Sequence, residues 1–152
     1  MKDVTEKSPT LRTAIAETLI TMPAEVQAML RERRLEKGDA LEIARAAGIL
    51  AAKKTWDLIP FCHPLPLTHV AITYFFEPEG VRLQALVKTH AVTGVEMEAM
   101  TAASIAALTL YDMLKPHTHA LEVAYTRLLS KTGGKSGDYQ YTPARDGAGG
   151  RG

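Results

Sequence analysis

Apolar positions along the chain switch between a two-residue period and a helical one, and the switches mark out its elements. Residues 12–21, RTAIAETLIT, set Ile15 and Leu19 among small and polar neighbours in partial alternation, which predicts a strand. Pro23 suits a first helical turn with Thr21 nearby as a cap, so PAEVQAMLRER predicts a short amphipathic helix. RRLEKGD turns the chain at Gly38. Asp39 is placed to cap a second helix, ALEIARAAGILAAKKTW, in which Leu41, Ala44, Ile49 and Ala52 recur at helical spacing. The proline-rich stretch IPFCHPLP ends it. LTHVAITYFFE is β-branched and aromatic and predicts a strand; EPEG turns the chain, and VRLQALVKTHAVT returns as its hairpin partner. GVEMEAMTAASIAALTLYDMLK predicts a long helix, apolar on nearly every side and stopped by Pro116. LEVAYTRLLSK predicts a last strand.

Strand, helices, strand, strand, helix, strand is the order of a split βαβ unit. The fold class is therefore α+β, a ferredoxin-like antiparallel sheet covered by helices on one face. The other face of that sheet, or the apolar sides of the long helix, would need a partner, so oligomerisation is expected. Residues 1–138 form a single domain and 139–152 a tail, since the sequence from Thr142, TPARDGAGGRG, has no apolar pattern and reads as disordered. The first ten residues are polar and read as loose.

Composition narrows the function. The 152 residues are 46% hydrophobic and 23% charged, enough for one core without cross-links. A net charge of +1 gives no field of one sign to attract nucleic acid or a membrane surface. The apolar runs fall short of a membrane span, and a cytoplasmic location is the default. Tyr74, Phe75 and Phe76 could serve a nucleic-acid module, but three consecutive strand residues cannot share one face.

Three stretches hold candidate chemistry. In IPFCHPLP, the only cysteine, Cys62, stands beside His63. Residues before proline are pushed to extended angles, so Cys62 and His63 point apart and do not form a nucleophile–base pair. No second cysteine, and no close-spaced histidine pair on one helix, supports zinc; His69, His90, His117 and His119 are scattered, the last two at a helix end. What remains is a stiff loop holding His63 for a ligand, or a plain surface loop. In the long helix, Glu96 and Glu98 lie in the first turn, where the dipole favours acids as caps. Asp112 lies in the last turn, where the dipole disfavours it, with Lys115 three residues on. That pair is either a structural ion pair or a carboxylate and amine held for proton transfer. Glu98 and Asp112 are about 21 Å apart along the axis at ~1.5 Å per residue, too far to share one small ligand within a chain. In SKTGGKSGD, position 129 is Leu where a P-loop needs glycine, and no helix follows. Its glycine N–H groups with Lys131 and Lys135 either receive an anion as a nest or form a flexible basic end. Lys37 and Lys53 add cations suited to a small phosphorylated ligand.

KGDALEIARAAGILAAKKTWDLIPFCHPLPLTHV, TGVEMEAMTAASIAALTLYDMLK and RLLSKTGGKSGD together resemble the MoaC family of molybdenum cofactor biosynthesis, over about residues 3–138. The resemblance implies a hexamer built as a trimer of dimers, with active sites at subunit contacts. It implies rearrangement of 3',8-cyclo-7,8-dihydro-GTP to cyclic pyranopterin monophosphate with release of pyrophosphate, and no metal or redox cofactor in that step. By motif it makes Asp112 the acid/base residue, with Lys115 and Lys37 as catalytic lysines. Phe61, Cys62, His63, Met97 and Glu98 become substrate contacts, and Lys53, Lys131 and Lys135 candidate phosphate contacts. Phe61 stands where the family has a smaller aliphatic residue, Thr132 replaces a serine, and PHTHALEVAYTRL departs from the usual link. The rival is a non-catalytic oligomeric pterin or nucleotide binder of the same fold, which would not need Asp112 with two lysines.

Overall fold

A computed structural model describes residues 1–143. Five strands form one sheet in the order β2-β3-β1-β4-β5, antiparallel at every junction. The strands are β1 (Thr10–Thr21), β2 (Leu67–Glu77), β3 (Gly80–Ala91), β4 (Glu122–Thr132) and β5 (Tyr139–Gln140). The helices are α1 (Ala24–Arg31), α2 (Ala40–Lys53), α3 (Thr55–Leu58) and α4 (Glu96–Leu114). The first four strands have the ferredoxin-like split βαβ arrangement, and α2 and α4 cover one face. No helix among the described residues is long and apolar enough to cross a membrane.

Alternation decides which face is covered. Ala14, Ala16, Thr18 and Ile20 of β1 lie beside Val87, Ala85, Leu83 and Val81 of β3, and all eight are fully buried. The aromatic run of β2 divides as period two requires: Tyr74 and Phe76 meet edge to face at 6.0 Å against the core, while Phe75 lies under the Arg82 guanidinium.

The opposite face is less bare than expected. It carries Glu17, only 4% exposed, which sequence reasoning passed over. Its carboxylate accepts from Arg127 Nη2 at 2.6 Å and Nε at 2.9 Å, and from Arg82 Nη1 at 3.4 Å. Arg127 lies 4.1 Å and 4.5 Å from the ring centres of Tyr125 and Tyr141. A buried charge left unpaired would be strongly unfavourable; here the arginines and rings both satisfy and cover it.

Three boundaries differ from the expected ones. Pro23 itself occupies the N-cap of α1 and no side chain caps that helix; Thr21 does not serve. The second helix breaks at Lys54, whose amide is shared between the Leu50 carbonyl at 3.2 Å and the Ala51 carbonyl at 3.0 Å, and the Thr55 hydroxyl beyond it donates to the Ala51 carbonyl at 3.1 Å. The tail expected from residue 139 begins with ordered chain, since Tyr139 and Gln140 pair with Lys131 and Ser130. Residues 144–152 of that tail lie outside the described residues. The cap at Asp39 is present, its carboxylate accepting from the Glu42 amide at 3.3 Å.

Helices α2 and α4 meet through small residues: Ala44, Gly48, Ala51 and Ala52 on one, Ala99, Ala102, Ala103, Ala106 and Ala107 on the other. A Cβ at Gly48 would lie 2.9 Å from the Ala102 carbonyl oxygen and 3.2 Å from the Ala106 Cβ. Gly48→Val is therefore expected to destabilise the fold by about 2 kcal/mol or more, read from the urea midpoint. An unchanged midpoint would show the two helices free to separate.

Candidate active site

At the N-terminal end of α4, the IPFCHPLP segment and the loop before the helix enclose a cavity of about 320 Å³. One wall is Phe61, Cys62, His63 and Leu65; the other is Thr93, Gly94, Glu96, Met97 and Glu98, with Lys2 across the opening. All five substrate contacts expected from the sequence thus converge on one pocket. Lys2 was missed, and no local pattern marks it, because it arrives by docking of the N-terminal segment.

The proline segment is less uniformly extended than expected. Ile59 is extended at φ −110° and ψ 107°, but the Cys62 amide donates to the Ile59 carbonyl at 3.0 Å and closes a turn over Pro60 and Phe61. The turn leaves Phe61 75% exposed and brings both Cys62 and His63 to the pocket wall. Burial, and then the Glu98 carboxylate, push the Cys62 thiol above its ordinary range. This is the opposite of an activated nucleophile, so Cys62 acts as a packed wall.

The two acids at the start of α4 have different surroundings. Val95 supplies no side-chain cap. Glu96 accepts from Lys131 Nζ at 2.9 Å, which ties β4 to the pocket rim, and its carboxylate occupies the space a side chain at Gly94 would take. Glu98 is 4% exposed. Its pKa is pushed up to about 7 by burial, opposed by a hydrogen bond from its own main-chain N–H and reinforced by the Glu96 charge. A carboxyl so placed is available as a neutral hydrogen-bond donor near pH 7.

The glycine stretch forms the turn between β4 and β5. Gly133, Gly134 and Gly137 all take positive φ, at 90°, 87° and 74°. Arg12 fastens this turn, donating to the carbonyls of Gly133 at 3.5 Å and Val92 at 3.4 Å, and its guanidinium fills the place of a side chain at Gly134. The Gly133 amide is taken by Asp138 Oδ1 at 3.2 Å, so it does not contribute to a nest. Lys135 is exposed at the tip of the turn. Lys53 is elsewhere: with Thr68 and His69 it lines a separate hollow of about 310 Å³ between α2 and β2.

At the other end of α4, Lys115 Nζ is 2.6 Å from Asp112 Oδ1, and both side chains are more than half exposed. The hydrogen bond and charge of Lys115, with a further pull from Lys37, hold the Asp112 carboxyl below its usual range. The same contact raises Lys115. Asp112 and Lys115 thus meet at one corner of the chain, near enough to Lys37 for its charge to act on the Asp112 carboxyl. They are separated from the Glu98 pocket by the length of the helix, about 21 Å at ~1.5 Å per residue.

Comparison with known proteins puts both ends in one context. The model of the MoaC family matches residues 1–134. The chain belongs to the MoaC family. A protein of Brevibacillus brevis named cyclic pyranopterin monophosphate synthase is 54% identical over 140 residues, 91% of this chain and 88% of that one. A Corynebacterium glutamicum protein of the same name is 55% identical over 139 residues, 91% of this chain and 89% of its own. One of Deinococcus radiodurans is 53% identical over 140 residues, 92% of this chain and 83% of its own. Family membership over this span includes every pocket residue, the glycine turn as far as Gly134, and the Asp112 corner.

Glu98 makes a pH prediction. Between the ordinary value of 4.5 and about 7, the folded chain keeps a proton on Glu98 that the unfolded chain has lost. Stability contributed at this site therefore falls as pH rises through that window and levels off above it. Relative to Glu98→Gln, the wild type should lose roughly 3 kcal/mol between about pH 4.5 and about pH 8 in urea titrations. A difference independent of pH would mean that Glu98 ionises as an ordinary carboxyl.

Proposed function

We propose that this chain is a cyclic pyranopterin monophosphate synthase. It takes 3',8-cyclo-7,8-dihydro-GTP to cyclic pyranopterin monophosphate and pyrophosphate. The observation that carries the reading is the convergence of Phe61, Cys62, His63, Met97 and Glu98 on one pocket, in a chain more than half identical to proteins of that name.

The chemistry asks for proton transfers at several atoms and for cations where phosphate departs. In this reading the pocket binds the pterin-forming part of the substrate, with His63 and the neutral Glu98 carboxyl bonding its nitrogens and oxygens. Asp112, held ionised by its lysines, removes a proton; Lys115, held protonated by Asp112, returns one or stabilises developing negative charge, and Lys37 completes the pair. Lys131 and Lys135, at the pocket rim and the glycine turn, and Lys53 are the candidate phosphate contacts.

One chain cannot bring these halves together. The Asp112 corner therefore acts on substrate held in the pocket of a second copy, consistent with the homo-hexamer, a trimer of dimers, that the family resemblance implies. Exposed apolar residues on the outer side of the helices, Ile43, Leu50 and Leu108, give such a contact something to bury.

The test is a coupled assay with GTP and the preceding radical enzyme, following product by its fluorescent oxidised form. Asp112→Asn and Lys115→Ala should each lower turnover by about 10²-fold or more. Chains carrying Asp112→Asn and chains carrying His63→Gln, each inactive alone, should regain about one quarter of wild-type activity when unfolded and refolded together, because random pairing makes one site in four intact. No recovery in mixed oligomers would place both halves in one chain's site. A wild type that binds substrate without turnover would be a pterin or nucleotide binder.

A further inference from the structure

The first ten residues were expected to be loose, yet the stretch before the first strand holds local hydrogen bonds and a contact to the pocket. Asp3 Oδ1 accepts from the Thr5 amide at 2.9 Å and the Thr5 hydroxyl at 2.7 Å, and the Lys7 amide donates to the Val4 carbonyl at 3.0 Å. These local bonds shape the chain directly after Lys2, which itself lines the pocket. There the Lys2 main-chain carbonyl lies 2.9 Å from His63 Nε2, a contact between residues sixty-one positions apart.

A carbonyl oxygen only accepts, so the ring nitrogen facing it must carry the proton. A neutral imidazole has one N–H and one lone pair, and fixing the first fixes the second. We propose that the Lys2 carbonyl is a positioning group that holds His63 in its Nε2–H tautomer and leaves Nδ1 as the lone pair for substrate. The consequence for the pocket rests on the function proposed above; the tautomer itself does not. Nδ1 then accepts a hydrogen bond or a proton from a ring N–H or hydroxyl of the ligand. If a proton is taken, it goes to Nδ1, the imidazolium keeps donating from Nε2 to the same carbonyl, and the ring need not turn. His63 is thus committed to one role, acceptor, and Glu98 beside it supplies the donor.

The test is nitrogen NMR of the ligand-free full chain labelled at histidine, at about pH 8.5, well above the ordinary imidazole pKa of ~6.5. His63→Gln identifies the His63 signals by their loss. The expected spectrum has Nε2 at the protonated and Nδ1 at the unprotonated position. Lys2→Ala keeps the carbonyl and should leave both signals in place. Removal of residues Met1–Asp3 should move both toward the averaged position of a tautomer mixture. A wild-type proton on Nδ1, or an unchanged spectrum after removal of those residues, would overturn the proposal. So would a Lys2→Ala spectrum matching the deletion, since the ammonium and not the carbonyl would then be responsible. Absence of synthase activity in wild-type protein with the expected spectra would count against the function and leave the tautomer standing.

Discussion

The close approach of α2 and α4 is the constraint on which the rest depends. Alanine and glycine along much of the buried faces let the helices meet closely, with the Ala102 carbonyl against Gly48. Small side chains bring little apolar area each, so the contact is stabilised by density and length more than by large buried groups. It also leaves little room for adjustment. A helix seated this way against its neighbour and against β1, β3 and β4 has one rotation and one axial position, and everything attached to its ends inherits that placement.

Attached to those ends are two carboxyls with opposite fates. Glu98 is buried at the N-terminal end, where desolvation outweighs the helix dipole and its own amide, so the acid is pushed toward neutrality. Asp112 stands in the open at the C-terminal end, where the dipole works against it. Lys115 and Lys37 more than compensate, and it stays ionised. A carboxyl pushed toward neutrality and one held ionised are thereby set on one rigid element. Separating them by the length of the helix avoids the like-charge coupling that would tie their titrations together.

Most of the fold was legible because its elements obey simple periods. The β2–β3 hairpin shows as two β-branched runs around EPEG, and its strand bounds agree with the pattern closely. The misses have local causes. The break at Lys54 turns on one amide shared between two carbonyls, which no periodic pattern marks. Strand β5 is two residues long and has no room for a period. Glu17 could have been found, as the lone acid of its strand, but the pattern cannot say that Arg82 and Arg127 come from two neighbouring strands to meet it.

The site was legible to a different degree. The charges of Asp112 and Lys115 stood out physically, since an acid at the wrong end of a dipole needs a reason. The pocket residues came from the resemblance, because IPFCHPLP on its own fits a binding wall and a plain loop equally well. What separates those two is tertiary: the turn at Ile59–Cys62, the first turn of α4 across from it, and the Lys2 carbonyl over the ring of His63. The turn is local, but the other two join residues distant in sequence, and together they set where His63 sits. In the reading proposed above, these contacts are what turn a half-buried loop histidine into one oriented toward the pocket.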